Sequence, residues 1–172
     1  MIFASFSTLW TAIVLPLSAS PFEMSHTEIG LLGLAGLAGA LASGSAGRLA
    51  DRGMAQWTTG TSFLLLMASW LLIGRLPASL MSFVVGIVLL DFAVQAVHVT
   101  NLSLVFALRP DARSRLVGGY MAFYSAGSAV GAIASTTAYA SFGWIGVSIL
   151  GGSFSLAGLL IWLVSIVRHA EK

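Results

Sequence analysis

The stretch "SLMSFVVGIVLLDFAVQAVHVTNLSLVFAL", residues 79–108, runs for thirty residues with a single formal charge, Asp91. About twenty apolar residues suffice for a helix to cross roughly 30 Å of hydrocarbon. The run is too long and too evenly apolar to be a strand. Lipid offers the backbone no hydrogen-bond partners, so a segment like this must satisfy its amides internally, as a helix. A barrel strand would alternate polar and apolar residues, and this one does not.

The rest of the chain is of the same kind. Of 172 residues, 58% are hydrophobic and 8% charged, whereas a soluble domain carries roughly a quarter charged residues. A water-soluble globule of this make-up would lack a polar coat. The sequence predicts an all-α, polytopic membrane protein: one domain over 1–172, a bundle of six transmembrane helices. The spans are expected near 2–20, 29–46, 57–74, 80–108, 116–138 and 144–167. Ser18-Ala19-Ser20 also resembles the end of a signal peptide, but the basic segment that should precede it is missing. Ser25 and Glu28 have the spacing of a capping box opening the second span. Pro16 removes a backbone donor and should kink or loosen the first.

Charge gives the orientation. Arg48, Arg52, Arg109, Arg113, Arg115, Arg168 and Lys172 fall on one side of the predicted membrane and Arg75 on the other. Basic residues collect on the cytoplasmic face, so both termini are expected there, in the cell (inner) membrane. Trp57, Trp70, Tyr139 and Trp144 near span ends fit interfacial belts, while Trp10 lies deeper. No basic patch with interleaved aromatics supports nucleic-acid binding. Without cysteine there is no disulfide, thiolate metal site or thiol nucleophile. Neither a phosphate-cradling glycine loop followed by Lys nor a G-x-S-x-G elbow is present. No enzyme activity, catalytic residue, metal or cofactor is expected.

Asp91, Gln95, His98 and Asn101 follow one another at spacings of four, three and three, within a helical sector of roughly 120°. A charge at mid-membrane costs about 2.5–3.5 kcal/mol on the insertion scale, so Asp91 must be paired, hydrated or protonated. Two readings fit. In one, the stripe faces a water-filled path, Asp91 takes up and releases a proton, and Gln95, His98 and Asn101, with Trp10 nearby, bind substrate. In the other, the stripe is an interhelical polar seam worth on average only about 0.6 kcal/mol per bond. Glycines at 30, 33, 36 and 39 and at 127 and 131 offer smooth faces for close helix approach.

Gly47-Arg48-Leu49-Ala50-Asp51-Arg52, between the second and third spans, resembles the G-x-x-x-D-R loop motif of the major facilitator superfamily. Gly53-Met54-Ala55-Gln56 departs from it: the next glycine comes one position early and the trailing basic pair is absent. Residues 89–135 look like helices ten and eleven of the drug and sugar efflux branch. The resemblance covers essentially the whole chain, as the C-terminal six-helix half of a twelve-helix carrier. It implies transport of a small organic molecule, efflux or antiport coupled to protons. The lipid bilayer, a small-molecule substrate and a second six-helix half, as a homodimer or separate chain, would be the partners. It also implies that Gly47, Asp51 and Arg52 form a cytoplasmic loop that makes and breaks contacts during alternating access. The alternatives are a non-transporting subunit or fragment that packs with another half-transporter, and a six-helix channel.

Overall fold

The computed structural model describes residues 1–42, 44–108 and 112–170, which are overwhelmingly helical and contain no strand. Arg109, Lys172 and the side chains of Asp51 and His169 lie outside what is described. Helix α1 (Ile2–Ala12) passes through Ile13 (φ −56°, ψ −35°) into the short α2 (Val14–Leu17). Pro16 cannot bond back to Ala12, yet Ile13 donates to the Leu9 carbonyl at 2.9 Å and Ser18 to Val14 at 3.0 Å. The loosening expected from Pro16 is thus a one-residue interruption, with the neighbouring helical bonds intact.

Helix α3 (His26–Ala42) opens on the expected capping box. The Ser25 amide and hydroxyl each donate to Glu28 Oε2 at 2.8 Å, and the Glu28 amide donates to Ser25 Oγ at 3.3 Å. The rod resumes in α4 (Gly44–Leu49) and ends in a π-helical turn, Ala50–Met54. There Gly53 adopts φ 80°, ψ 8°. A side chain resists that left-handed conformation and glycine does not, so the glycine that comes early in the motif is where the chain turns. Helices α5 (Ala55–Ile73) and α6 (Leu80–Leu108) follow. The last element, α7 (Arg113–Ala170), bends at Gly143 (φ 62°, ψ −153°) into arms 113–142 and 144–170.

By length and composition, 26–49, 80–107 and 113–168 are long and apolar enough to cross a membrane, the last including its bend. Their outward faces are oily: Leu34, Leu41, Phe123, Ile133 and Ile145 are all more than half exposed. The core lies along α6, where Phe83, Ile87, Leu90, Ala93 and Val94 are essentially inaccessible. Helix α5 packs on one flank of α6 and α3 on another, while α1 lies chiefly along α7.

Glycine and aromatic residues pair between α5 and the second arm of α7. Trp162 lies over Gly60, Phe63 over Gly158 and Trp70 over Gly151, each ring filling the space a Cβ would take. The residue numbers rise in one helix as they fall in the other, so the pair is antiparallel. Gly131 lets the Ala4 backbone of α1 approach in the same way. Without a hydrophobic drive between helices in lipid, such close approach supplies the dispersion contacts that hold them. Trp70 and Trp144, which the sequence suggested for interfacial belts, are packed inside the bundle. Both are buried, with Trp70 Nε1 donating to Ser5 Oγ at 2.7 Å and Trp144 Nε1 to the Ile73 carbonyl at 3.0 Å. Trp57, by contrast, is 74% exposed.

Candidate functional site

Four elements meet around the polar stripe of α6. Asp91 and His98 are two helical turns apart, on one side of the helix. The antiparallel α1 sets Trp10 beside Asp91 and Phe3 beside His98. The stripe thus divides into two differently built sites.

At Asp91 the wall is α3. A Cβ on Gly36 would lie 2.8 Å from Asp91 Oδ2, 3.0 Å from its Cγ and 3.2 Å from Trp10 Cζ2. One on Gly39 would come within 2.8 Å of the Phe92 amide nitrogen. The lower half of the glycine stripe is therefore a notch into which carboxylate and indole fit together. Gly30 and Gly33 of the same stripe have nothing within 4 Å. Asp91 is 5% exposed. The Trp10 N–H is a donor within reach of its carboxyl, but in this conformation neither Asp91 Oδ2 nor Trp10 Nε1 completes a hydrogen bond among the described residues. Thr100 Oγ1 on α6 is a third such atom. Each buried polar atom left this way costs about 1–3 kcal/mol, so the notch is held at an energetic cost that packing elsewhere must offset.

At His98 one ring nitrogen is engaged. Its Nδ1 lies 2.8 Å from Tyr120 Oη, and the two rings stack at 5.5 Å and 26°. Phe3 meets the imidazole edge-on at 5.1 Å, and Tyr124 lies 6.1 Å away. The neighbour that satisfies this histidine is thus a tyrosine of α7 rather than an acid. Asn101 reaches the same Tyr120 hydroxyl and lines a cleft of about 270 Å³ with Thr59, Phe63 and Trp162. Gln95 is half-buried between the two sites. A second cavity of about 320 Å³ runs between α4, α5 and α6, past Ser45, Thr58, Ser62 and Phe92. Asp91 lines none of the larger clefts among the described residues.

The loop motif is partly placed. Gly47 approaches α6 closely, since a Cβ there would lie 3.2 Å from Val99 Cγ1. Arg52 is exposed in the π-helical turn. The sequence pointed to Asp91, Trp10, Gln95, His98 and Asn101 as site residues and to Gly36 only as a packing glycine; Phe3, Tyr120 and Tyr124 were missed. The available signal was the spacing of Tyr120 and Tyr124, two of three tyrosines in the chain, one turn apart on α7.

An all-helical bundle with an oily exterior and glycine-mediated packing is the frame of a polytopic membrane protein. The chain belongs to the Major Facilitator Superfamily, whose family model matches residues 1–172. It is a multi-pass membrane protein. The uncharacterized transporter YgaY of Escherichia coli O157:H7 is 44% identical over 160 residues, 93% of this chain and 41% of that protein. YgaY of strain K12 gives the same figures. The "Probable transporter SCO4007" of Streptomyces coelicolor is 32% identical over 177 residues, 98% of this chain and 39% of that protein. The chain thus spans about two fifths of the length of the curated relatives it matches. No solved structure matches it.

Proposed function

We propose that this chain works as the C-terminal six-helix half of a secondary carrier that exports a small organic molecule in exchange for protons. A second six-helix half completes the cavity. Both termini face the cytoplasm from the inner membrane. Asp91 carries the proton, Trp10, Gln95, His98 and Asn101 line the substrate path, and the Gly47–Asp51–Arg52 loop makes contacts on one side of the cycle only. The observation that carries the reading is the buried Asp91 carboxylate, set against the Trp10 N–H beneath Gly36. A carboxylate buried at mid-helix among apolar neighbours is a group that can take up and release a proton.

The test uses membrane vesicles enriched in the full-length protein and loaded with a pH-sensitive dye, challenged with a panel of small organic solutes. Saturable solute-dependent proton movement is expected, and it should vanish in Asp91→Asn. Flux that survives this substitution unchanged would overturn the proton role. A second reading, a non-transporting membrane subunit, draws on the distance of Asp91 from the larger clefts. No solute-dependent flux, together with crosslinking of the bundle to another membrane protein, would favour it.

A further inference from the structure

Away from the polar stripe, the outer face of α5 carries two grooves. One, a cleft of about 480 Å³, runs between α5 and the second arm of α7, past Gly60, Leu64, Trp162 and Leu163. The other is the cavity of about 320 Å³ between α4, α5 and α6, which passes Leu49, Leu65 and Phe92. They lie side by side, because Trp57 and Thr61, one turn apart on α5, line both. Trp57 is 74% exposed, so the ridge between the grooves stands free. The first groove is shaped by Gly60, which lets the Trp162 ring lie against α5, and Trp162 Nε1 is tied down by donating to Gln56 Oε1 at 2.9 Å. Thr58 and Thr61 donate their hydroxyls to the Met54 and Trp57 carbonyls at 3.0 and 2.8 Å, so neither offers the grooves an unspent donor. The walls described at Asp91 and His98 come from α1, α3 and the first arm of α7. The grooves lie on the other flank of α6, where a chain that spans a bilayer meets lipid.

At one end both grooves run up to the turn between α4 and α5. Arg48 lies in the last turn of α4 and Arg52 in the π-helical turn, and both are exposed. Two arginines against the one acid of this turn, Asp51, leave it positive. Two apolar grooves that meet beneath a pair of arginines match a molecule whose two hydrocarbon chains meet beneath a phosphate. We infer that this face of α5 is a binding site for an anionic phospholipid, with one acyl chain in each groove and Trp57 between them. The phosphate lies against Arg48 and Arg52, whose guanidinium forks fit its oxygens. Trp57, apolar in body and polar at its N–H, stands at the depth where chains give way to headgroup. A single-chain molecule would fill one groove and leave the other open. The inference needs only that the chain spans a bilayer, and is independent of what solute it carries.

The test is quenching of tryptophan fluorescence in the full-length protein, reconstituted into phosphatidylcholine vesicles. These are titrated with lipid brominated on its acyl chains, either phosphatidylglycerol or phosphatidylcholine, since bromine quenches an indole that it touches. Brominated phosphatidylglycerol should quench at lower mole fraction than brominated phosphatidylcholine, and the difference should disappear in Trp57→Phe, which removes the reporter. Arg48→Gln and Arg52→Gln should each cut the preference for the anionic lipid about fivefold. Thr61→Phe adds bulk to the wall that the grooves share and leaves the arginines in place. It should bring the two lipids level by a route independent of charge, so the inference stays testable if an arginine variant fails to insert. Three results would overturn it: equal quenching by the two lipids in the unaltered protein; a preference for phosphatidylglycerol that survives both Thr61→Phe and the double arginine variant; or no quenching of Trp57 by either lipid, which would mean that a protein partner covers the face. None of these bears on the carrier reading, which stands or falls on solute-linked proton movement and Asp91.

Discussion

Two tryptophans show how differently the bundle treats its buried polar groups. Trp70 of α5 donates to Ser5 Oγ at 2.7 Å. Ser5 in turn lies 3.1 Å from Ser155 Oγ, and Ser155 bonds the Gly151 carbonyl at 2.8 Å. Donors and acceptors close on one another there, joining α1, α5 and α7. Trp10, little more than a turn further along α1, faces Asp91 with its N–H in reach of the carboxyl but short of a well-formed hydrogen bond. The same helix thus carries a finished knot and an open pair. The difference teaches where rigidity lies: a satisfied network specifies one arrangement, and an unsatisfied one keeps an arrangement conditional on what arrives.

The knot is where the largest loss is expected. Trp70→Ala removes a ring that fills the space over Gly151 and takes one donor from Ser5, and should destabilise the bundle by about 3–5 kcal/mol. The melting temperature of the purified protein in detergent checks this. The same truncation at Trp10 should cost clearly less, because that ring is only half-buried and forms no well-made hydrogen bond. Equal losses would erase the distinction between the two regions.

A more discriminating pair acts on the polar atoms themselves. Ser5→Ala leaves the Trp70 N–H without its acceptor and should destabilise by about 1–3 kcal/mol. Asp91→Leu removes a buried carboxylate whose Oδ2 makes no well-formed hydrogen bond and puts an apolar side chain among apolar neighbours. It should leave stability unchanged or raise it while abolishing solute-linked proton flux. Opposite signs in the two melts are the expected outcome. If Asp91→Leu unfolds the protein and Ser5→Ala does not, then the carboxylate is the structural group and the knot is incidental.

The sequence made part of this contrast legible. Low charge and long apolar runs led to an all-α membrane protein, and Ser25 with Glu28 led to a helix start that the structure builds from both side chains. The three-and-four spacing set Asp91 and His98 on one side of α6. Nothing in it showed that α1 would divide that side, Trp10 going to one and Phe3 to the other. Nor did it show that Trp70, near a span end, is buried on a glycine. The physical reason is that a side chain facing lipid and one facing another helix are equally apolar, so hydropathy does not separate them. Glycine faces carry the missing information only once their partners are known. Gly36 and Gly33 look alike in the sequence, and only one of them touches anything.

That last pair supplies the finest prediction. Gly33→Ala adds a methyl where nothing lies within 4 Å, and should change stability by no more than about 0.5 kcal/mol, the range of an unconstrained surface position. Gly36→Ala brings the methyl to 2.8 Å from Asp91 Oδ2 and 3.2 Å from the Trp10 ring, and must shift α3 or the carboxylate. A loss of about 1 kcal/mol, the low end for overpacking, is expected. The informative measurement is not the melt but the reactivity of Asp91 toward a hydrophobic carbodiimide. If α3 is the movable wall of the notch, pushing it away from α6 exposes the carboxylate and labelling rises in Gly36→Ala and not in Gly33→Ala. Equal labelling in the two would mean that α3 yields nowhere near Asp91, and the open pair would then be as fixed as the knot.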